Sequence, residues 1–255
     1  MKIRVLGCSG GVGGPDRHTT ALAVDDDILI DCGTGVGALS IEEMLAIDHI
    51  FLTHAHFDHV ALLPMLIDSV AERRSRPVSV YALPETLAAL HAHVFNWVLW
   101  PDFTVLPEAL NPVLKLQPLR VGELFSFGGR QIQVLPAAHS VPAVGYCMAQ
   151  NGSSLAFSGD TTLCEELLDA LNAMPALRYL LIETAFPEAM HAKAEISRHL
   201  CPSKLGEFLS RLKTSPEVFI THLKPLCEVQ ASREISMLES VLPIQMLLAG
   251  EVFEV

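Results

Sequence analysis

The sequence predicts an α/β protein in which two β-sheets pack face to face with helices outside, a four-layer αββα sandwich. Two observations support this fold class. The 255-residue chain reads as two similar halves, and each half begins with strands joined by a tight turn and continues with alternating strands and helices. No linker or low-complexity segment divides the chain, so we expect residues 1–255 to form a single domain.

The first half opens with apolar runs that predict strands, followed by apolar residues at helical spacing. The predicted elements in order are strands at 2–6, 21–24, 28–31 and 49–53, a helix at 60–70, a strand at 78–81 and a helix at 84–95. Asp25, Asp26 and Asp27 form the turn of a hairpin, and Pro84 takes a first helical position, where its missing N–H costs nothing. The proline-rich stretch 106–119 is expected to be an irregular connection.

The second half repeats this order of elements. Its predicted elements are strands at 131–135, 145–148 and 154–157, a helix at 163–171, a strand at 179–182, a helix at 202–212, a strand at 218–220, a helix at 229–241 and two short strands near the terminus. Asn151-Gly152 joins the second and third of these strands, and Asn-Gly is the strongest short hairpin signal. The repeated order supports a pseudo-twofold arrangement of the two halves.

Composition and charge restrict the partners and the location of the protein. With 17 basic and 29 acidic residues the formal net charge is −12, which disfavours long nucleic acids, because phosphate contacts depend on clustered Lys and Arg. Mean hydropathy is +0.37, yet no apolar run approaches the roughly 18 residues of a membrane span. The start lacks the apolar stretch of a signal peptide and the six cysteines form no Cys-x-x-Cys pair, so we expect a cytoplasmic protein with reduced thiols.

Three histidines and an aspartate follow the predicted strand at 49–53 within six residues. His54 and His56 come before Asp58 and His59, so a loop or turn can direct the two pairs toward two different points. Imidazole and carboxylate groups are ligands of zinc, manganese and iron alike, with zinc as the first expectation. We therefore predict two divalent cations, one bound by His54 and His56 and the other by Asp58 and His59.

The remaining ligands are expected at the ends of other strands, because such cations take four to six ligands. His139, Asp160 and His222 each follow a predicted strand within a few residues. Taken singly, each could be a core histidine or a turn aspartate, but their common position after a strand favours a joint site. Asp160 lies between the two histidines in the chain and is the candidate for a carboxylate that bridges both cations.

The run Thr53-His54-Ala55-His56-Phe57-Asp58-His59, the lone His139, Gly159-Asp160 and Thr221-His222 resemble the metallo-β-lactamase superfamily. This resemblance implies an αββα sandwich and the metal ligands named above. Within the superfamily the chain is most similar to class II 3',5'-cyclic-nucleotide phosphodiesterases. The segments that carry this likeness are 83–86, 95–103, 157–161, 182–187, 195–202 and 220–225. The chain departs from that subfamily at Ser140, where glycine is expected after the histidine.

The resemblance implies a metal-dependent hydrolase that cleaves a cyclic mononucleotide such as cyclic AMP or cyclic GMP. Two cations roughly 3.5 to 4 Å apart can share a hydroxide that attacks phosphorus in line, and Asp58 is counted among the catalytic residues on this ground. The cations also concentrate positive charge at the site of an acidic protein. A small cyclic nucleotide is therefore the expected partner.

The departing sugar oxygen needs a proton, and an imidazole held by a carboxylate is suited to supply it. Glu183, at the end of a predicted strand, and His199 are the candidates, and a similar pair serves in the related tRNA 3'-processing endonucleases. The alternatives are a solvated strand-end carboxylate and a capping or surface histidine. We expect the two assignments to stand or fall together.

Further residues are candidates for supporting contacts. His18 and Lys224 are assigned to substrate binding, with a surface-loop histidine and a solvated lysine as the alternatives. Asp31 either orients a ligand histidine or serves only in a turn. The aromatic residues between 95 and 103 either stack on a base or pack in a core or between subunits, and their apolar character suggests a homodimer.

Two other functions fit parts of the sequence. A tRNA 3'-end endonuclease shares the chemistry, but the acidic balance and the lack of an obvious basic, glycine-rich arm for gripping tRNA argue against it. The other hypothesis is a non-catalytic nucleotide-binding receptor with the same fold, and the intact set of metal ligands argues against it. The main prediction remains a binuclear cyclic-nucleotide phosphodiesterase.

Overall fold

The computed structural model of the protein describes residues 1–174 and 176–255. The strands are β1 Lys2–Gly7, β2 Ala21–Val24, β3 Ile28–Ile30, β4 His49–Phe51, β5 Val78–Ala82, β6 Pro107–Glu108, β7 Asn111–Pro112, β8 Leu114–Pro118, β9 Leu124–Phe127, β10 Arg130–Ala138, β11 Pro142–Gln150, β12 Ser153–Phe157, β13 Leu177–Glu183, β14 Glu217–Thr221, β15 Ile244–Met246 and β16 Val252–Glu254. The α-helices are α1 Ile41–Ala46, α2 Phe57–Val60, α3 Leu63–Val70, α4 Pro84–His93, α5 Glu165–Asn172, α6 His191–Ser197, α7 Pro202–Ser210 and α8 Glu228–Ile235. Short 3₁₀ helices lie at Thr34–Ala38, Ala71–Arg73 and Glu188–Met190.

Two seven-stranded sheets are built to the same plan. The strand order is β16-β1-β2-β3-β4-β5-β8 in the first sheet and β15-β14-β13-β12-β11-β10-β9 in the second, while β6 and β7 form a separate ribbon. In the first sheet β1 to β3 pair antiparallel, and β3, β4, β5 and β8 pair parallel. In the second, β9 to β12 pair antiparallel and β12 to β15 pair parallel. The similar halves of the sequence thus form similar sheets.

The two sheets face each other across a shared apolar core. Side chains alternate along each strand, so Phe51 of β4 packs between the sheets while its neighbour Ile50 packs on the helix side. Leu181 and Leu180 of β13 divide in the same way. Helices α3 and α4 cover the first sheet, and α5 and α7 cover the second. The predicted αββα sandwich is confirmed, and the single domain over 1–255 stays a prediction.

None of the helices in the described ranges has the length and apolar composition that spanning a membrane requires.

The expectation of an irregular connection over 106–119 is wrong. Leu114–Pro118 form β8, which pairs in parallel with β5 at the edge of the first sheet. Pro112 precedes this strand and Pro118 is its last residue, and an edge strand tolerates proline at such positions because no ladder hydrogen bond is lost. The prolines of this stretch therefore flank a strand instead of excluding one.

The strand β9 and the helix α8 also differ from expectation. Leu124–Phe127 form β9, a strand that the sequence analysis did not identify, and the turn that joins it to β10 contains Gly128 and Gly129 with φ of 56° and 87°. The helix expected at 229–241 ends at Ile235. Val241, the apolar residue on which the longer helix prediction depended, is fully exposed and does not contact a core.

Arg130, the first residue of β10, joins the second sheet to the β2–β3 turn of the first. Its Nη1 and Nη2 donate hydrogen bonds of 2.5 and 2.8 Å to Oδ1 and Oδ2 of Asp27, and Nη1 lies 3.2 Å from Oδ2 of Asp25. The hydrogen bonds from Arg130 hold the pKa of Asp27 below its usual value, against the smaller effect of burial. The ionised form of Asp27 therefore stabilises the contact between the sheets.

Replacing Arg130 by methionine is expected to lower the free energy of unfolding by about 1 kcal/mol at neutral pH, since the pair is partly exposed. Because folding lowers the pKa of Asp27, this contribution to stability is present above about pH 4. It is lost as the pH falls through the lower pKa that Asp27 has in the folded protein. Urea denaturation at several pH values measures it, with the exposed Arg120→Met as the control. A destabilisation that does not depend on pH would contradict this account.

Candidate metal centre

The histidine-rich segment lies where β4 leaves the first sheet. The chain passes His54 and His56 and then enters α2, which carries Asp58 and His59. His56 directly precedes the helix in an extended conformation, with φ of −64° and ψ of 146°. The change from extended chain to helix separates His54 and His56 from Asp58 and His59, as the sequence predicted.

The other predicted ligands follow strands of the second sheet. His139 comes directly after β10, Asp160 after β12 and His222 after β14. Strands β10 and β12 are both antiparallel to β11, and β12 to β14 are parallel, so all three residues lie at the same edge of the sheet. The amide of Val144 donates a hydrogen bond of 3.0 Å to the carbonyl of Thr53, which connects this edge to the histidine-rich segment.

The seven predicted ligands come together as two neighbouring groups, with Asp160 between them. One ligand atom from each member lies within 4.8 Å of the others in the group His54, His56, His139 and Asp160, and likewise in the group Asp58, His59 and His222. Oδ2 of Asp160 lies 3.7 Å from Nε2 of His54 in the first group. Its Oδ1 lies 3.3 Å from Nε2 of His59, and its Oδ2 lies 3.1 Å from Nε2 of His222. Asp160 thus has the position that a bridging carboxylate requires.

Hydrogen bonds behind the cluster determine which nitrogen of each histidine faces it. Oδ2 of Asp31 accepts a hydrogen bond of 2.7 Å from Nδ1 of His59. The Thr53 hydroxyl donates to Oδ2 of Asp31 at 2.8 Å and accepts from Nδ1 of His54 at 3.0 Å. Since Nδ1 is the donor in both rings, Nε2 of each ring is directed to the cluster. Of the two alternatives for Asp31, the structure shows the orienting contact.

Three nitrogens of the cluster are buried and form no hydrogen bond within residues 1–174 and 176–255: Nε2 of His54, Nε2 of His59 and Nδ1 of His222. The first two face the carboxylate of Asp160, at 3.7 and 3.3 Å. A buried polar atom without a partner costs about 1–3 kcal/mol and is uncommon. Convergent imidazole and carboxylate groups are the donor set of zinc, manganese and iron sites. The residues therefore fit a pair of divalent cations, and Nε2 of His54 and Nε2 of His59 are atoms that a cation would satisfy.

Burial and charge set the protonation of the cluster. Burial holds the pKa of His54 and of His222 well below the usual value, which favours the neutral rings that a cation binds. Burial alone would raise the pKa of Asp160, but the neighbouring imidazoles, His222 first, hold it well below its usual range. Burial opposes a charge on His59, yet the carboxylates of Asp160 and Asp31 raise its pKa well above the usual value, so a cation that binds Nε2 of His59 must displace a proton from this ring.

Glu183 and His199 form a buried pair. Nδ1 of His199 donates a hydrogen bond of 2.6 Å to Oε1 of Glu183. The carboxylate also accepts from the backbone amides of Thr161 and Leu200 at 3.0 and 3.2 Å. Burial raises the pKa of Glu183. Burial opposes the charged form of His199, but the charge of Glu183 and the hydrogen bond to it outweigh burial and raise the pKa of His199.

This pair lies beside the metal-ligand cluster. The rings of His199 and His222 are stacked with their centroids 5.3 Å apart. A ring nitrogen of His199 lies within 4.8 Å of ligand atoms of Asp160 and His222. Because Nδ1 is taken by Glu183, Nε2 is the nitrogen of His199 that can act on a bound molecule.

The two predicted substrate contacts lie in different places. Nζ of Lys224 is 3.2 Å from Oδ2 of Asp58 and 3.0 Å from Nε2 of His222, within the second group. His18 lines a separate cavity of about 420 Å³ together with Cys8 and Arg17, and no member of the cluster lines that cavity. The structure therefore brings Lys224 to the cluster but not His18, and the contact of His18 with substrate stays a prediction.

The aromatic residues after α4 divide between core and surface. Phe95 and Phe103 are buried in the core beneath the first sheet's helices, and Trp100 packs against that core. Trp97 is 62% exposed. Packing in the core is thus the observed alternative for Phe95 and Phe103.

Two arrangements of polar side chains also escaped the sequence analysis. The first is the role of Thr53, whose hydroxyl connects Asp31 to His54. The available signal was its position directly before the histidine motif. The second is a further group of ligand-type side chains, Glu188, His191 and Cys201. The spacing of these three residues matches no metal-binding motif, because Cys201 precedes a different helix from the one that His191 begins.

A family model matches the part of the chain that carries these residues. A model of the beta-lactamase superfamily domain matches residues 26–223, which is more than half of the chain. The chain belongs to the β-lactamase superfamily. All seven ligands, Glu183 and His199 fall within the matched range, so the resemblance inferred from the motifs is confirmed. The protein is a hydrolase of this superfamily with residues that can hold divalent metal ions.

Three relatives of this superfamily member cover different shares of it. An uncharacterized protein of Mycobacterium tuberculosis is 26% identical over 271 residues, which span 100% of this chain and 92% of that protein. Ribonuclease Z of Clostridium beijerinckii is 31% identical over 160 residues, 58% of this chain and 48% of that enzyme. A probable 3',5'-cyclic-nucleotide phosphodiesterase of Yersinia pestis is 26% identical over 205 residues, 71% of this chain and 58% of that protein.

Solved structures share the fold over the whole chain. Unliganded yeast PDE1 has a TM-score of 0.83 at 19% identity, covering 100% of this chain and 99% of that one. The metallo-β-lactamase fold protein YhfI from Bacillus subtilis has a TM-score of 0.78 at 17% identity, with coverages of 100% and 98%. Zn²⁺-bound PqqB from Methylobacterium extorquens has a TM-score of 0.66 at 19% identity and covers both chains fully. At these identities the likeness concerns the fold.

Proposed function

We propose that this protein is a metal-dependent phosphodiesterase that hydrolyses 3',5'-cyclic nucleotides such as cyclic AMP and cyclic GMP. The observation that carries the proposal is the buried Glu183–His199 pair beside the cluster of seven metal ligands. A ligand cluster alone suits many hydrolases, whereas this pair adds a proton donor for a poor leaving group such as a ribose oxygen. The likeness to the probable 3',5'-cyclic-nucleotide phosphodiesterase of Yersinia pestis supports the same substrate class.

The proposed cofactor is a pair of divalent cations, with zinc first and manganese or iron as alternatives. The first cation would be held by His54, His56, His139 and Asp160, and the second by Asp58, His59 and His222. Asp160 would also serve the second cation, since its oxygens lie 3.3 Å from Nε2 of His59 and 3.1 Å from Nε2 of His222. When bound, such cations polarise a phosphoryl group and lower the pKa of a coordinated water toward neutrality. The histidine and aspartate donor set supports zinc, as does the zinc in the related PqqB fold.

The chain's own residues would divide the remaining tasks. Asp31 and Thr53 keep Nε2 of His59 and His54 directed at the cluster. Lys224 offers an ammonium group to an anionic phosphoryl oxygen. Glu183 fixes the tautomer of His199, and the raised pKa of His199 keeps a proton on the imidazole that the departing ribose oxygen can take from Nε2.

The test of this function is turnover of cyclic AMP and cyclic GMP by the purified protein loaded with zinc, manganese or iron. We expect release of the nucleoside monophosphate with at least one of the metals and its loss in Asp58→Ala. Binding of the cyclic nucleotide without monophosphate release for every metal would favour a receptor. Absence of both binding and turnover would overturn the proposal.

A tRNA 3'-end endonuclease is the second candidate, because ribonuclease Z of Clostridium beijerinckii is 31% identical over 58% of the chain. The net charge of −12 argues against it, since tRNA binding depends on phosphate contacts from basic residues. Cleavage of precursor tRNA in the same assays, with binding that weakens steeply as salt rises, would favour this candidate.

Replacing Lys224 by methionine is expected to raise KM for a cyclic nucleotide by about 10-fold or more with a smaller effect on kcat, because a hydrogen bond to a charged group contributes about 1.5–3 kcal/mol. Steady-state kinetics of Lys224→Met and Lys224→Arg measure this, and the arginine variant should recover part of the affinity. Lys115→Met, at an exposed position on β8, is the matched control. An unchanged KM in Lys224→Met would assign the lysine to another role.

A further inference from the structure

Glu188, His191 and Cys201 form a group of ligand-type side chains outside the cluster described above. Glu188 lies in a 3₁₀ helix, His191 begins α6 and Cys201 directly precedes α7. Nδ1 of His191 lies 3.0 Å from Oε1 of Glu188 and 3.3 Å from Sγ of Cys201. Three adjacent pieces of backbone thus direct a carboxylate, an imidazole and a thiol to one point.

We propose that these three residues bind an additional divalent cation of the zinc type, separate from the proposed catalytic pair. Carboxylate, imidazole and thiolate are all zinc ligands, and one atom from each lies within 4.8 Å of the others. The soft sulfur ligand selects zinc over magnesium or calcium. On binding, the Cys201 thiol loses its proton to solvent as the sulfur coordinates the cation.

Hydrogen bonds connect the same side chains. Nδ1 of His191 faces the Glu188 carboxylate, the Cys201 sulfur and, at 3.4 Å, the hydroxyl of Ser203. A single ring nitrogen either donates one proton or accepts with one lone pair, so it pairs with one of these groups at a time, and the Ser203 hydroxyl donates to Oε1 of Glu188 at 2.9 Å. One cation can bind the nitrogen, a carboxylate oxygen and the sulfur at the same time.

The surroundings combine a buried ligand with an open approach. Cys201 is fully buried, whereas the side chains of Glu188 and His191 are 43% and 42% exposed. A cation can therefore enter from solvent between the two exposed ligands and reach the sulfur. The backbone amide of Ser203 donates a hydrogen bond of 3.0 Å to Oε2 of Glu188, which holds the carboxylate near the site.

The proposed site lies next to His199 in the chain. Cys201 follows His199 by two residues, and His191 begins the helix that precedes His199. A cation bound here would connect the chain on both sides of His199. None of its ligands belongs to the seven-residue cluster, so the proposal does not depend on the proposed function.

Titration of the metal-free protein with cobalt(II) tests the proposal. Thiolate bound to cobalt gives a near-ultraviolet charge-transfer absorption that imidazole and carboxylate ligands do not give. We expect this absorption to saturate with about one thiolate-bound cobalt ion per chain. It is expected to disappear in Cys201→Ser and to persist in Cys227→Ser, a matched control whose buried thiol lies in the same apolar group.

His191→Ala provides a second measurement at a partly exposed position, where the substitution should not prevent folding. Elemental analysis of the zinc-loaded variant is expected to show about one zinc fewer per chain than the unmodified protein. Absence of the charge-transfer absorption in the unmodified protein would overturn the proposal. So would its persistence in Cys201→Ser or an unchanged zinc content in His191→Ala. None of these measurements requires phosphodiesterase turnover, so failure of this proposal is distinguishable from failure of the proposed function.

Discussion

Replacing Asp160 by alanine is expected to remove at least about one metal ion per chain and to lower kcat/KM for a cyclic nucleotide by more than about 100-fold. The carboxylate lies between the two ligand groups, with His54 on one side and His59 and His222 on the other. Loss of a residue that only supports a ligand costs about 10- to 100-fold. Loss of a ligand shared by both groups should exceed that range.

Elemental analysis and steady-state kinetics on the same preparations measure this effect. Asp160→Asn keeps the size of the side chain and removes its charge, so we expect an intermediate loss of metal. Asp169→Ala, at an exposed position on α5, is the matched control and should retain both metal and activity. Full metal content in Asp160→Ala would show that the bridging interpretation is wrong.

The position of the candidate site could be predicted from the sequence because it depends on local rules. His139, Asp160 and His222 each follow a short apolar run that predicts a strand, and parallel strands end at the same edge of a sheet. The order of elements in the two halves likewise predicted the two sheets. These inferences need only the end of each strand and the direction of its neighbours, which local patterns indicate.

Features that depend on contacts between distant segments could not be predicted in this way. β8 was missed because its prolines masked a strand whose pairing with β5 is decided by the edge of the sheet. The choice between two roles for Asp31 required the position of His59, which is 28 residues away in the chain. Cys201, which directly precedes α7, meets His191, the first residue of α6, across the turn between the two helices, and no spacing rule encodes that contact.

Replacing His199 by alanine is expected to lower kcat for a cyclic nucleotide by about 100- to 10,000-fold, the usual contribution of a general acid. The reason is that the departing ribose oxygen is a strong base and needs the proton that the Glu183 carboxylate helps to keep on His199. A phosphodiester with a nitrophenolate leaving group needs no such proton. For that substrate we expect a loss of less than about 10-fold, and comparison of the two substrates measures the effect.

The same pair of substrates separates proton donation from metal binding. A ring nitrogen of His199 also lies within 4.8 Å of ligand atoms of Asp160 and His222, so a role as a ligand is the competing explanation. If His199 is the acid, His199→Ala retains its metal, and Glu183→Gln shows the same leaving-group dependence with a smaller loss, because the glutamine no longer supports a charged imidazole. Equal losses on both substrates, accompanied by loss of metal, would instead assign His199 to the metal centre.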